Sequence, residues 1–200
     1  MVLPQRFSRW ATNRVLVLNS HRSERSLKDG RPLVVRFKTP ADRTAWRRFV
    51  ALVPDDSGHR KGTQMDLADL TTDYHRYDDP YMVAEVTGEI VGAVFIVPPD
   101  PVLGYHQDHV MEFHADVLPG WRRLGVGMAL VETLVDWARV KGDVQKLEAG
   151  CLGWNEPVIA LMLKAGFSEE GRSVRSWMVR LEGGGIEYDD IVHLGLWIGK

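Results

Sequence analysis

Two periods of hydrophobic residues follow one another along the chain, one typical of strands and one typical of helices. Alternating or continuous apolar runs predict strands, and turn residues bound most of these runs. Asp29-Gly30 predicts a hairpin turn before one run, and Thr87-Gly88 joins two others. The strand-like runs occupy residues 27–37, 81–97, 109–117, 146–152, 174–181 and 188–198.

Apolar residues recur at helical spacing in the segments between these runs. A first helix is predicted after a cap at Thr39 and a first turn containing Pro40. Its inner face is predicted to hold Ala45, Phe49, Leu52 and Val53. A short helical pattern covers residues 65–74, and another covers 155–165 before a cap at Gly166.

The longest helical pattern runs from Gly125 to about Lys141. Its buried stripe is predicted to consist of Val126, Leu130, Leu134 and Ala138. Strands and helices are interleaved along the chain, with no repeat and no linker. This order predicts a single mixed α/β domain.

Composition and charge narrow the function classes. With 200 residues, 44% of them hydrophobic, the chain is large enough to bury a core. The 27 acidic and 25 basic residues give a net charge of −2, which disfavours nucleic-acid binding through bulk positive charge. The single cysteine, Cys151, excludes an intramolecular disulfide and fits a reducing compartment. No apolar run reaches the length of a membrane span, so we expect a cytoplasmic protein without a membrane partner.

The N-terminal residues differ from the rest in charge. Residues 1–28 contain five arginines and four serines but one acid, Glu24, a bias that resembles an organelle transit peptide. The strand-like run Arg14–Ser20 instead favours an ordered basic extension that adds a strand. We therefore expect an extension over residues 1–26 and a domain over residues 27–200.

The segment "VLPGWRRLGVG", residues 117–127, places two glycines where a strand hands over to the long helix. Glycine inside a helix lowers helix stability by roughly 1 kcal/mol relative to alanine. Two glycines at the start of this helix therefore indicate a structural or functional requirement. A helix N-terminus presents unpaired N–H groups and partial positive charge, and glycine lets a phosphate approach. Arg122 and Arg123 add charge suited to phosphate oxygens. The segment predicts a pyrophosphate site; the alternative is a tight turn with solvated arginines.

Two common phosphate motifs are excluded at this turn. A Walker loop has Lys and then Ser or Thr after its last glycine, but here Met128 follows Gly127. A dinucleotide fingerprint has a third glycine at the position that Leu130 occupies here. The segment instead resembles the acyl-CoA-binding signature of GNAT-superfamily N-acyltransferases, Gln/Arg-x-x-Gly-x-Gly/Ala, at Arg122, Gly125 and Gly127.

A second landmark of that family lies downstream. The segment "WNEPVIALMLKAGFSEEG" resembles the family's Asn…Gly-Phe-x-x-x-Gly pattern at Asn155, Gly166, Phe167 and Gly171. The resemblance covers about Leu33 to Trp197. It implies an α/β fold: one GNAT-like domain with a central mixed, mostly antiparallel sheet, splayed between two parallel strands and flanked by helices.

The resemblance also implies acetyl-CoA as co-substrate. The pantetheine arm is expected to pair with backbone near Val117 and to form a hydrogen bond with Asn155, while amides from Arg123 to Met128 hold the pyrophosphate. The residues expected to bind acetyl-CoA are Ala115, Val117, Arg122, Arg123, Leu124, Gly125, Val126, Gly127, Met128 and Asn155.

Acetyl transfer to an amine needs a proton acceptor, and Glu112 is the candidate. It lies five residues before Val117, at a register where several GNAT branches carry Glu, and a half-buried carboxylate beside a cleft suits such work. The alternative is a Glu that pairs with an arginine or faces solvent. Many relatives carry a Tyr acid where Met162 stands, and thioethers cannot donate a proton. Cys151 could replace it, but a small core residue is the simpler interpretation.

Several potential metal ligands precede the signature: His106, Asp108, His109, Glu112 and His114. On a strand Glu112 and His114 share a face while His109 points away, and no spacing matches a helical zinc pair. We therefore expect no metal. His114 is expected to line the acceptor cleft or to relay the proton of Glu112.

Carboxylates are concentrated between the first helix and the next strand, at Asp66, Asp69, Asp73, Asp78 and Asp79. They would attract a cationic acceptor such as a polyamine, an aminoglycoside or a lysine side chain; the alternative is a solvated helix face. "LKDGRPLVVRF" with Asp42, and the Glu112 register, more loosely resemble bacterial protein-lysine acetyltransferases.

The sequence thus predicts an acetyl-CoA-dependent N-acetyltransferase in which a primary amine attacks directly in a ternary complex. The acceptor would be a protein lysine, a protein N-terminus or a small cationic amine. A degenerate domain that binds acyl-CoA as sensor or scaffold is the alternative. Whether the chain forms a homodimer stays open.

Overall fold

The computed structural model describes residues 21–53, 81–97, 109–180 and 185–199, and eight strands in these ranges form one sheet. The strands lie in the order β1-β2-β3-β4-β5-β6-β8-β7, and β5–β6 is the one parallel pair between them. The predicted mixed, mostly antiparallel sheet is therefore confirmed. The strands are β1 (Arg22–Ser26), β2 (Pro32–Phe37), β3 (Tyr81–Val86), β4 (Glu89–Val97), β5 (Val110–Val117), β6 (Lys146–Leu152), β7 (Ser168–Arg180) and β8 (Ile186–Trp197).

Three α-helices lie within the described residues: α1 (Arg43–Leu52), α2 (Val126–Lys141) and α3 (Glu156–Lys164). The first is preceded by a 3-10 turn at Pro40–Asp42, and the second by one at Pro119–Trp121. The four predicted stripe residues of α2 are all buried. A left-handed glycine, Gly166, follows α3 as predicted.

The predicted inner face of α1 was wrong at Leu52, which is 58% exposed. The buried positions are Trp46, Phe49, Val50 and Val53. At 100° per residue, Leu52 lies about 120° around the helix from Trp46, which is too far to share that face.

Both predicted hairpins are present. β1 pairs with β2 across residues 27–31, and β3 pairs with β4 across Thr87 and Gly88, both of which have positive φ. β1 lies within the range 1–26 and forms one edge of the sheet. The run Arg14–Ser20, the helical pattern at 65–74, the five aspartates from Asp66 to Asp79, His106 and Asp108 lie outside the described residues.

The last hairpin differs from its prediction in one respect. β7 begins at Ser168, six residues before the predicted start at Val174. The register of β7 against β8 shifts between Glu169 and Gly171 and again between Ser173 and Trp177. Residues 168–173 read SEEGRS and contain no apolar side chain, so no hydrophobic period marked the first half of the strand.

Hydrophobic residues cover both faces of the sheet. The larger core joins α2 and Met162 of α3 to inward residues of the strands, such as Met111 and Phe113 of β5. The smaller core joins α1 to Tyr81 and Val83 of β3 on the other face.

A buried ion cluster fixes the start of α1 to the sheet. Arg36 of β2 donates to both Asp42 carboxylate oxygens, at 2.7 and 2.8 Å, and to Glu85 of β3 at 2.6 Å. Burial alone would raise the pKa of Asp42, but hydrogen bonds from Arg36 and Thr39 outweigh it and lower this pKa to about 2. This helix start is therefore held by a charged aspartate.

The two parallel strands separate soon after they meet. β5 pairs with β6 only from Val110 to Glu112, opposite Lys146 to Glu148, whereas β5 continues to pair with β4 as far as Val117. The result is a notch between β5 and β6, as the GNAT resemblance predicts. None of the helices in the described ranges is both long and apolar enough to cross a membrane.

Candidate active site

The turn from β5 into α2 has the geometry of an anion site. The first bond of the helix runs from the Ala129 N–H to the Gly125 carbonyl at 3.0 Å. The N–H groups of Val126, Gly127 and Met128 precede that bond and have no acceptor within the helix. With the helix dipole, they offer an anion three donors and partial positive charge.

The two glycines of this turn serve different purposes. Gly125 has φ +105°, a conformation that favours glycine, and a Cβ there would meet nothing within 4 Å. A Cβ on Gly127 would instead lie 3.0 Å from Leu161 Cδ1 of α3. The open space for a phosphate is therefore at Gly125, and Gly127 is needed for the close packing of α2 on α3.

Of the other residues predicted to bind acetyl-CoA in this segment, Val126 is buried, and Leu124 and Met128 are half-buried. Arg122 and Arg123 are both exposed, and Arg122 Nε donates to the Val117 carbonyl at 3.1 Å. Leu124 packs against the larger core. Asn155 begins α3, and its side chain makes no capping hydrogen bond to that helix.

The edge of β5 that faces the notch extends the anion site toward the sheet. Beyond Glu112, residues 113–117 pair with β4 on one side and with no described strand on the other. Ala115 and Val117 lie on this edge. Acetyl-CoA fits these features: an extended arm can lie along the strand edge that no described strand covers, while its pyrophosphate meets the N–H groups of α2.

A cavity of about 590 Å³ lies across β5, β6, β8 and β7. Glu112 and His114 line it and alternate along β5 with the buried Met111 and Phe113, so the cavity is on the face opposite the α2 core. Its lining consists of Glu112, His114, Glu148, Ala149, Gly150, Cys151, Leu152, Glu170, Trp177, Ile191, His193 and Leu194.

Glu112, the predicted base, lies where the parallel strands separate. It is the last residue of β5 to pair with β6, and its partner is Glu148. Its side chain is 52% exposed, and its Oε1 lies 3.7 Å from His114 Nε2. Glu112 and His114 therefore share a face as predicted, and a second carboxylate stands beside them.

Lys146 connects a third carboxylate, that of Glu170, to Glu112 and Glu148, and we call these three side chains the carboxylate row. Lys146 Nζ lies 2.7 Å from both Glu148 Oε1 and Glu170 Oε2, and hydrogen bonds to these two carboxylates raise its pKa. Glu170 is the extra residue of the β7 bulge, and its carboxylate lies over Gly195 of β8, where a Cβ would overlap it. The bulge directs the Glu170 side chain across β8, and the absence of a side chain at Gly195 leaves room for its carboxylate to contact Lys146.

Met162 and Cys151 are both buried. Met162, at the position of the missing Tyr, is 3% exposed and belongs to the larger core. Cys151 is buried beside the cavity; burial, with a smaller contribution from Asp189, raises the pKa of its thiol to about 11. Cys151 is therefore a core residue, which was the simpler interpretation.

His109 and His114 each lie against an aromatic ring. The His109 ring contacts Trp197 with ring centroids 6.2 Å apart, and His114 stacks on Phe95 at 6.5 Å. Within the described ranges, no group of three or more His, Cys, Asp or Glu side chains is placed to hold a metal ion.

Sequence reasoning missed most of the cavity wall. Glu148, Glu170, Trp177 and His193 were not predicted. Glu148, Trp177 and His193 lie on strand-like runs, whereas Glu170 lies before the run that begins at Val174. Glu148 could have been found by aligning the two parallel strands at Glu112. Glu170 could not, because the bulge that turns its side chain leaves no local sequence signal.

Comparison with known proteins agrees with this architecture. Residues 46–167 match the family model described as the acetyltransferase (GNAT) family. Among curated proteins, the chain is 34% identical over 123 residues to the mouse protein named probable N-acetyltransferase family 8 member 5. The match covers 58% of this chain and 52% of the relative, so the chain spans about half the length of this relative.

Solved structures share the fold. A ribosomal-protein-alanine N-acetyltransferase from Brucella melitensis is 26% identical with a TM-score of 0.62, covering 82% of this chain and 99% of that one. A putative acetyltransferase from Salmonella typhimurium, solved with its cofactor acetyl-CoA, is 20% identical with a TM-score of 0.66. That likeness covers 84% of this chain and 95% of the other.

Proposed function

The chain belongs to the GNAT acetyltransferase family, and from this premise we propose that it transfers the acetyl group of acetyl-CoA to a primary amine. One observation carries the proposal: an anion site and a carboxylate-lined cavity lie on either side of the same notch. The anion site is formed by the first turn of α2, and the cavity by Glu112 and its neighbours. Donor and acceptor would therefore meet where β5 and β6 separate.

The turn before α2 and the edge of β5 that no described strand covers would hold acetyl-CoA. Its pyrophosphate would lie against the N–H groups of Val126, Gly127 and Met128, with Arg123 nearby in the turn. The arm would lie along Ala115 and Val117, with Asn155 as a hydrogen-bond partner. Acetyl-CoA supplies a thioester, whose acyl carbon an amine can attack.

Glu112 would act as the base. The acceptor arrives as an ammonium, and Glu112 takes one proton so that the nitrogen can attack the acyl carbon. A C–N bond forms as the C–S bond breaks, and the electron pair leaves with sulfur. The nitrogen then gives up its second proton to water, which leaves a neutral amide. His114, whose Nε2 lies 3.7 Å from Glu112 Oε1, would pass the proton taken by Glu112 onward. With Met162 buried, the thiolate would take its proton from water.

The cavity supports a cationic acceptor. Its described lining and Lys146 together contribute three carboxylates and one ammonium, so a positive ligand is favoured. A small cationic amine, a lysine side chain or a protein N-terminus would satisfy this chemistry. The Brucella protein is named for an acceptor of the last kind, a ribosomal-protein alanine.

A second candidate function is a domain that binds acyl-CoA without transfer, as sensor or scaffold. The observation that favours it is Met162, since the position that holds a Tyr acid in many relatives is a buried core residue here. The two functions predict different results in the same assay.

The test is release of free CoA thiol from acetyl-CoA with a panel of amines. The panel would hold a lysine peptide, a peptide with N-terminal alanine, 1,4-diaminobutane and n-butylamine as a monocationic control. We expect thiol release that depends on both the amine and the protein. Binding of acetyl-CoA without release for any amine would favour the sensor, and absence of binding would contradict both functions.

A further inference from the structure

The turn of the β1–β2 hairpin, residues 27–31, lies against the turn that precedes α2. The Lys28 N–H donates to the Leu124 carbonyl at 3.1 Å. The Arg31 guanidinium carbon lies 4.0 Å from the ring centroid of Trp121. Two contacts therefore join the hairpin to the segment 121–125 on which the proposed acetyl-CoA site depends.

The contacted segment has an unusual backbone. Arg123 has φ +67° and Gly125 has φ +105°, so two left-handed residues stand within three positions. A left-handed conformation is costly for a residue with a side chain and persists only where its surroundings enforce it. Arg123 therefore needs neighbours that hold this segment in place.

The hairpin turn is itself rigidly held. Asp29 Oδ2 accepts hydrogen bonds from Arg31 Nε at 2.9 Å and from Arg31 Nη2 at 2.6 Å, and these bonds orient the guanidinium toward Trp121. The Leu27 N–H donates to the Arg31 carbonyl at 2.9 Å, and the Leu27 side chain is buried in the larger core. A turn fixed in this way can fix its neighbour.

The hairpin also lies outside residues 46–167, the segment that matches the family model. We propose that Arg31 and the turn at residues 27–31 hold the segment 121–125 in the conformation that binds CoA. Arg31 is then a positioning residue, which acts through Trp121 without touching the ligand. This inference rests on the proposed function, because it concerns the same acetyl-CoA site.

The test compares two ligands by calorimetry on the full chain, CoA and 3′-dephospho-CoA. Arg31→Ala removes the stacking on Trp121, and we expect it to raise the Kd of both ligands by the same factor, about three- to tenfold. Arg22→Ala is the matched control, since it removes the same charge from β1 at an exposed ion pair with Glu24. It should leave both Kd values within a factor of two.

A double-mutant cycle tests the route through Trp121. In a Trp121→Leu background, Arg31→Ala should no longer change the Kd of CoA. Asp29→Asn, which weakens the hold on the guanidinium, should change Kd in the direction of Arg31→Ala by a smaller factor. Thermal denaturation of each variant ensures that binding is measured on folded protein, well below its Tm.

Three results would overturn the inference. Unchanged CoA affinity in Arg31→Ala would remove the hairpin from the site. A loss for CoA but not for 3′-dephospho-CoA would make Arg31 a direct phosphate ligand, and an equal loss in the Trp121→Leu background would exclude stacking as the route. If the parent protein bound neither ligand, the proposed function itself would fail, which is a separable result.

Discussion

The two sides of the notch between β5 and β6 are built from different groups. On the side of α2, the proposed acetyl-CoA site is formed by one continuous segment, residues 113–128. It consists of main-chain N–H groups and the edge of β5 that no described strand covers. On the opposite face, side chains from β5, β6, β7 and β8 form the proposed acceptor cavity. The first side depends on backbone conformation, and the second on side-chain identity.

This difference has a consequence for specificity. A main-chain site tolerates substitution as long as φ angles and close packing are kept, so it suits a ligand shared across a family. A wall of side chains changes with each substitution, so it suits an acceptor that differs between relatives. The following predictions test this division.

The largest effect is expected at Gly125. Gly125→Glu would place a carboxylate in the open space before the α2 N–H groups and would strain a left-handed position. We expect acetyl-CoA affinity to fall more than about a hundredfold by calorimetry. Gly120→Glu is the matched control, because a Cβ at Gly120 also meets nothing within 4 Å and its φ is not left-handed. Equal losses in the two variants would mean that added charge alone weakens binding.

Asp42 belongs to neither side and should affect stability alone. Its pKa is lowered to about 2 in the folded protein, so its contribution is present above about pH 4 and is lost as the pH falls toward 2. Asp42→Asn should lower the free energy of unfolding by about 2 kcal/mol at pH 7, with acetyl-CoA affinity unchanged.

Urea denaturation of parent and Asp42→Asn between pH 7 and pH 2 would check this prediction. The difference between the two proteins should shrink as the solution is acidified. A difference that stayed constant across this range would show that the carboxylate charge is not what stabilises the helix start.

An intermediate effect is expected at Gly195. Gly195→Ala would push the Glu170 carboxylate away from Lys146 and so disturb the carboxylate row. We expect KM for a cationic acceptor to rise about three- to tenfold while acetyl-CoA affinity stays constant. Gly171→Ala, where a Cβ meets nothing within 4 Å, is the control. If only acetyl-CoA affinity fell, Glu170 would belong to the acetyl-CoA site and not to the acceptor cavity, which would contradict this account.

The smallest effect is expected at Gly127. A Cβ there would point at the flexible end of Leu161 and not into the open space at Gly125. Gly127→Ala should therefore change acetyl-CoA Kd by less than about threefold, and the helix propensity of alanine would offset part of the packing strain. A hundredfold loss would mean that both glycines face the ligand.

The same division explains what could be predicted from the sequence. The turn at residues 117–127 is contiguous, so its glycines, arginines and helix start stand together and can be interpreted in order. Even there, the sequence could not separate the conformational need at Gly125 from the packing need at Gly127, because Leu161 lies 34 positions away.

The cavity wall was largely beyond sequence reasoning. Glu112 could be identified because it lies next to the signature in the sequence. Glu148 lies beside Glu112 because β5 and β6 pair there, and Glu170 joins the same wall through a bulge in β7. The error at Leu52 had a different origin, since the helix was assigned a face before its neighbours were known. Local periodicity predicts elements, but the contacts between distant strands decide which side chains meet.

Glu112→Gln tests most directly whether the notch is a site of acetyl transfer. This variant keeps the shape of the side chain but cannot accept a proton. With an acceptor from the amine panel, we expect kcat to fall roughly 10²–10⁴-fold near neutral pH, with acetyl-CoA affinity unchanged. The rate should recover in part at high pH, where the amine loses its proton without help. A rise in acceptor KM with kcat intact across the pH range would contradict the assignment and leave Glu112 as a binding residue alone.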